Sequence, residues 1–181
     1  MMHRVAQSLV GCTLVVWGLS ATQPSQAHSA SDAYLTLSAD SVTPASSGNV
    51  IIHGQWDIAL RDLDFVLQLD DDGDGRLTGA EVRRHQSDIE HYAYRFLKIG
   101  EPGRDCKIKP GRQMVDNHAD GAYAALFFDA VCPRTSRKIT LNYSLFFAID
   151  PSHRGIFVMH GDKDVATALM SPDNPRVDLS F

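Results

Sequence analysis

Residues 70 to 81 read Asp70-Asp71-Asp72-Gly73-Asp74-Gly75-Arg76-Leu77-Thr78-Gly79-Ala80-Glu81. Five acids and one arginine give this stretch a local charge of −4, most of the −5 carried by the whole chain. Like charges at this density repel one another, so the run makes physical sense around a cation. The spacing fits that use. Asp70, Asp72 and Asp74 alternate, so a tightly curled loop aims all three carboxylates inward. Gly75 allows the sharp turn, Arg76 offers its main-chain carbonyl, Thr78 a hydroxyl, and Glu81 a carboxylate able to give both oxygens. The alternative is a solvated acidic turn, since Asp-Gly pairs are good turn formers. A turn alone, however, does not require Glu81 at the twelfth place.

A loop of this kind needs rigid elements on both sides. Before it, apolar residues fall at Trp56, Ala59, Leu60, Leu63, Val66, Leu67 and Leu69, the spacing of an amphipathic helix over residues 56–69. After it, Val82, Ile89, Tyr92, Ala93, Phe96 and Leu97 repeat at three and four, predicting a second helix over 79–98 that stops at Gly100. In this frame Asp57 is a helix N-cap or first-turn acid, and Asp62 and Asp64 are solvated. Positions 1, 3, 5, 6, 7, 9 and 12 of the loop thus match the EF-hand pattern, and the segment over 56–98 resembles an EF-hand helix–loop–helix. The resemblance implies a calcium ion held by Asp70, Asp72, Asp74, Arg76, Thr78 and Glu81. EF-hands usually pair through position 8, here Leu77. The nearest second loop, Asp116-Asn117-His118-Ala119-Asp120-Gly121, has Phe127 where the bidentate acid should stand. A lone hand is expected to be weak, or to lean on the rest of the domain or on a second subunit. Where calcium is plentiful it acts as a structural clip.

The other elements follow a different period. Tyr34-Leu35-Thr36-Leu37 and Asn49-Val50-Ile51-Ile52-His53-Gly54 read as strands around a breaker-rich stretch from Thr43 to Gly48. From Cys106 the helical period is lost. Residues 106–109 precede a Pro110-Gly111 turn, and 112–117 run up to Ala119-Asp120-Gly121. Strands are then predicted over 122–132 and 138–147, with 156–159 pairing back after a turn at 150–155. Weaker strands fall at 165–170 and 177–179. The expected fold is α+β: a single β-rich domain over 28–181, an antiparallel sandwich-like structure of about seven short strands with the helix–loop–helix inserted.

Residues 1–27 read as a signal peptide. His3 and Arg4 precede an apolar run from Leu9 to Leu19, and Ser25-Gln26-Ala27 supplies small residues at −3 and −1. The apolar run is short for a membrane span. Leu9-Val10-Gly11-Cys12 looks like an acylation site, yet almost no apolar stretch precedes it. Export to a periplasmic or extracellular space leaves Cys106 and Cys132 as an even pair in an oxidising compartment, pointing to a disulfide. No basic surface suited to nucleic acid is present, and no segment after the leader could cross a bilayer.

Four further stretches occur together: Asp32-Ala33-Tyr34-Leu35, the run from Gly54 to Asp64, Asp120-Gly121-Ala122-Tyr123, and Asp150-Pro151-Ser152-His153-Arg154-Gly155. Together they are similar to the exported N-terminal region of bacterial HupE/UreJ-family membrane proteins. That family is associated with nickel handling for hydrogenase and urease. The resemblance implies an accessory role beside a membrane or periplasmic protein partner, but no transport, because the membrane part has no counterpart here. It also frames an alternative function. Cleavage after Ala27 would expose His28, whose amine and imidazole can chelate nickel or copper, with His53, His118, His153 and His160 as further donors. No Gly-x-Ser-x-Gly elbow, Cys-His pair, zinc-hydrolase motif or phosphate-binding glycine loop is present, so no enzyme is expected.

Overall fold

The computed structural model describes residues 31–39, 49–101, 103–133, 138–161 and 164–180. The expected signal peptide, Cys12, His28 and the breaker-rich stretch 43–48 lie outside them.

The protein is a β-rich α+β structure of two sheets and a few short helices. The six-stranded sheet contains β1 (Asp32–Ala39), β2 (Asn49–Ala59), β5 (Lys107–His118), β6 (Gly121–Pro133), β8 (Arg154–His160) and β9 (Val165–Met170), in the order β5-β6-β2-β1-β8-β9. The four-stranded sheet contains β3 (Leu97–Glu101), β4 (Arg104–Asp105), β7 (Lys138–Tyr143) and β10 (Arg176–Ser180), in the order β10-β7-β3-β4. Helices α1 (Leu60–Leu67), α2 (Gly79–Arg84) and α3 (Gln86–Ala93), with a 3₁₀ turn at Tyr94–Phe96, connect β2 to β3. Alternate residues of both sheets and the inner faces of the helices form one hydrophobic cluster. Trp56 of β2 meets Tyr143 of β7 edge-on across it, with centroids 5.8 Å apart. Among the described residues no helix is long and apolar enough to cross a membrane.

Several expected boundaries move. Trp56 to Ala59 are strand, not helix: Trp56 and Ile58 are fully buried opposite Leu126 and Ala124 of β6. The strand's period of two therefore outlasts the point where a helical spacing can first be drawn through Trp56. The second helix is also divided, at His85. It gives way at Leu97 to β3, where Leu97 and Ile99 are buried and Lys98 is exposed. The Pro110-Gly111 turn is absorbed as a register irregularity inside one long β5. Residues 144–149 form turns, not the end of β7.

The sheet is not wholly antiparallel. β8 does not pair back on β7; the turns after Tyr143 carry it to the other sheet, where it runs parallel to β1. Phe146 takes φ 60° in that crossing, a costly conformation for a bulky side chain.

Cys106 is disulfide-bonded to Cys132, with Cα atoms 4.4 Å apart and a sequence separation of 26. The bridge lies where the chain changes sheets. The Cys106 N–H still bonds Ile99 O of β3 at 2.8 Å, and the next residue already pairs with β6. Replacing both cysteines by serine should cost about 3 kcal/mol in the chain-entropy picture, measured by urea unfolding under non-reducing conditions. A second test probes packing. Gly54 stands opposite Phe128, whose ring occupies the space a Cβ would need. Gly54→Ala should destabilise by about 1–3 kcal/mol, read as a lower urea midpoint with an unchanged slope.

Candidate metal centre

The acidic loop hangs between α1 and α2. Helix α1 ends at Leu67 because Gln68 turns left-handed, φ 54°, while its N–H still bonds Asp64 O at 2.8 Å. Asp64 then takes over the ending. Its Oδ1 accepts from the Leu69 N–H at 2.7 Å and the Asp70 N–H at 3.1 Å. Leu69 is fully buried, so the first carboxylate of the loop hangs from a fixed point. Asp64 was expected to be solvated, and this is its correction: it satisfies two N–H groups that the broken helix would leave unpaired.

Inside the loop, carboxylates bond forward onto main-chain N–H groups. Asp70 accepts from Gly73 through Oδ1 and from Gly75 through Oδ2, both at 2.8 Å. Asp72 accepts from Asp74 at 3.2 Å, and Asp74 from Arg76 at 2.8 Å. Gly73 and Gly75 have φ of 70° and 78°, where a side chain would be strained. The outcome is that one oxygen each of Asp70, Asp72 and Asp74 lies within 4.8 Å of the others. Oxygens bound to one calcium ion at 2.3–2.6 Å can be at most about 5 Å apart, so the three are close enough to share one cation. Among the described residues they are the one group of three or more His, Cys, Asp or Glu side chains placed to hold an ion.

The remaining expected ligands are placed differently. Thr78 N-caps α2: its hydroxyl accepts from the Glu81 N–H at 3.3 Å, and the Glu81 carboxylate takes the Thr78 N–H at 2.8 Å, a capping box. The same Glu81 Oε2 accepts the Thr78 hydroxyl, and Oε1 the Asp71 N–H at 3.2 Å. Glu81 is buried and closes the loop against its own start, but it is not one of the three converging side chains. Arg76 is exposed between Gly75 and Leu77.

Asp71, not a member of the alternating set, faces outward and fastens the loop to α2 and the residue after it. It pairs with Arg84 at 2.6 Å and His85 Nε2 at 2.8 Å, while His85 Nδ1 reaches Asp88 at 3.1 Å. The spacing of Asp71 from Arg84 and His85 has no local period, so no pattern along the chain signals this latch.

Ionisation follows the same geometry. The Gly75 N–H, ahead of the Gly73 N–H, holds Asp70 below the ordinary carboxylate value. The Asp74 N–H also pulls Asp72 down, yet the Asp74 charge, desolvation and the Glu81 charge outweigh it and Asp72 is raised. The Thr78 N–H leads in lowering Glu81. Asp71 is lowered chiefly by its hydrogen bond to His85, whose own value rises in return. One carboxylate of the trio is thus held against its neighbours' charge, a repulsion that a bound cation would relieve.

Outside the loop, Asp57 is corrected from helix cap to sheet residue. It is buried on β2, accepts from Gln55 Nε2 at 2.9 and 3.1 Å and lies 3.8 Å from His118 Nε2. Burial is the main cause raising its pKa. The near-match to a second loop is the hairpin turn between β5 and β6, fastened by Tyr123 OH to Asp120 at 2.8 Å. His53 pairs with Asp129 at 2.7 Å, His118 stacks on Tyr123, and His153 is fully buried. No protein-family model matches the chain, and no curated protein matches it.

The cap can be tested separately from any ion. Thr78→Ala should cost about 1 kcal/mol through loss of the N-cap bond, measured by urea unfolding in chelator.

Proposed function

We propose that this protein is an exported calcium-binding module in which α1, the acidic loop and the helices after it, residues 60–93, work as a single EF-hand on a β-rich, sandwich-like domain. The observation that carries the reading is the convergence of Asp70, Asp72 and Asp74 within 4.8 Å, in a loop whose positive-φ glycines and N–H groups hold these three carboxylates together. Pre-ordering reduces the entropy lost on binding. Arg76 would add its carbonyl, and Thr78 an oxygen directly or through water. Glu81 would exchange its hydrogen bond to the Asp71 N–H for the ion, becoming the bidentate ligand.

The position-8 residue, Leu77, is half-buried and packs on the domain's own hydrophobic cluster. That supplies for a single hand the support a paired loop would give. The proposed role is binding or accessory, beside a membrane or periplasmic protein partner, with calcium as a structural clip. At a hundredfold excess over Kd, calcium would stabilise the fold by about 2.7 kcal/mol.

Titration calorimetry of the purified protein should give one calcium site, with Glu81→Gln and Asp70→Asn each weakening it at least about tenfold. Equal heats from wild type and Glu81→Gln, or none from either, would sink the proposal.

A further inference from the structure

Beneath α1 runs a buried chain of hydrogen bonds that joins the two sheets to that helix. Tyr143 of β7 contacts His153 Nε2 at 2.6 Å, His153 Nδ1 contacts Ser31 Oγ at 2.6 Å, and Ser31 donates to Asp62 Oδ2 at 2.8 Å. The proton positions follow from chemistry. The Asp62 carboxylate can only accept, so the Ser31 proton points at it. Ser31 Oγ is left with lone pairs, so Nδ1 of His153 carries the ring proton and Nε2 accepts from Tyr143. The imidazole is neutral in this arrangement.

The surroundings oppose a charge there. His153 has no exposed surface; Phe146 meets it edge-on at 5.1 Å, and Tyr143 and Phe147 stand at 5.9 and 6.0 Å. The charged groups around it are Asp150 and Arg154 on its own segment, Asp62 behind Ser31 on α1, with Arg61 at 3.4 Å from Asp62, and Asp32 next to Ser31. Burial lowers the His153 pKa to about 4, with Arg154 acting in the same sense and Asp150 and the Ser31 main chain against it. An added proton at Nε2 would reverse the Tyr143 bond and place an imidazolium among three rings.

The other end of the chain leads to the loop. Asp62 lies in the first turn of α1. Two residues on, Asp64 holds the N–H groups of Leu69 and Asp70. Helix α1 is therefore anchored to the His153 chain at its start and to the first metal-binding carboxylate at its end. We infer that proton uptake at His153 weakens cation binding by the loop, with α1 as the connecting element; this rests on the calcium reading above. By reciprocity, a bound cation opposes protonation of His153.

The sign is fixed by linkage. A histidine whose folded value lies below its unfolded 6.5 adds stability that is present above about pH 6.5 and lost as pH falls toward about 4. The full chain is titrated with calcium by calorimetry at about pH 7.5 and about pH 4, as wild type, His153→Gln, Ser31→Ala and Tyr143→Phe. The expected result is that at about pH 4, where about half of His153 carries the proton, wild type has lost up to about twofold more affinity than His153→Gln, and that Ser31→Ala binds more weakly than wild type already at neutral pH. Tyr143→Phe removes only a hydroxyl and serves if His153→Gln does not fold. Without that donor His153 is more basic, so the loss of affinity moves to higher pH. In wild type, the His153 ring resonance should titrate at lower pH with calcium than without. Calcium binding at neutral pH with the same pH dependence in all four proteins, and a His153 titration indifferent to calcium, overturns the coupling but leaves the calcium site standing. No binding by wild type at neutral pH overturns both.

Discussion

Three carboxylates whose oxygens gather within 4.8 Å repel one another, and much of the surrounding structure opposes that repulsion. Main-chain N–H groups of Gly73, Gly75, Asp74 and Arg76 point at the acids. Two left-handed glycines let the backbone curl tightly enough to present them. Asp64 and the capping box of Thr78 and Glu81 fix where α1 stops and α2 starts, and Asp71 takes its charge outward to Arg84 and His85. The loop is therefore a local electrostatic solution that dictates its own helix ends.

The same groups explain what could be read beforehand. The alternation of Asp70, Asp72 and Asp74 is a local pattern, and local patterns survive in one dimension: the loop lies where its spacing places it, between helices. Most strands from Gly121 onward were legible for the same reason: β8 alternates buried and half-buried residues, and β6 and β7 are β-prone apolar runs bounded by turns. The helix limits were not. Trp56, Ala59, Leu60 and Leu63 fit a helical spacing, yet Trp56 and Ile58 alternate as strand against β6, and nothing in one stretch decides between two compatible periods.

Long-range polar placement was the least visible. Ser31 meets Asp62 across 31 residues and His153 across 122; no spacing rule links them. Asp62 and His153 lie within stretches that the family resemblance singled out, but their shared role is set by a crossing the sequence did not reveal. The turns after Tyr143 move the chain from the small sheet to the large one, and they bring His153 under α1. Fully partnered buried polar groups of this kind fix one arrangement of the surrounding core.

The parallel pairing of β1 with β8 has a consequence in time. β1 is an inner strand, with β2 on one side and β8 on the other. Its second neighbour comes from residues 154–160, more than a hundred positions later in the chain. A growing chain can form the β1-β2-β6 ladders early, because they are antiparallel neighbours closed by shorter loops. It cannot close the other side of β1 until residues 154–160 are present. Loop-closure entropy makes that last pairing slow, and until it forms the open edge of β1 is a place where another strand can add. The large sheet is thus built to complete itself late, with β1 waiting for a strand made more than a hundred residues after it.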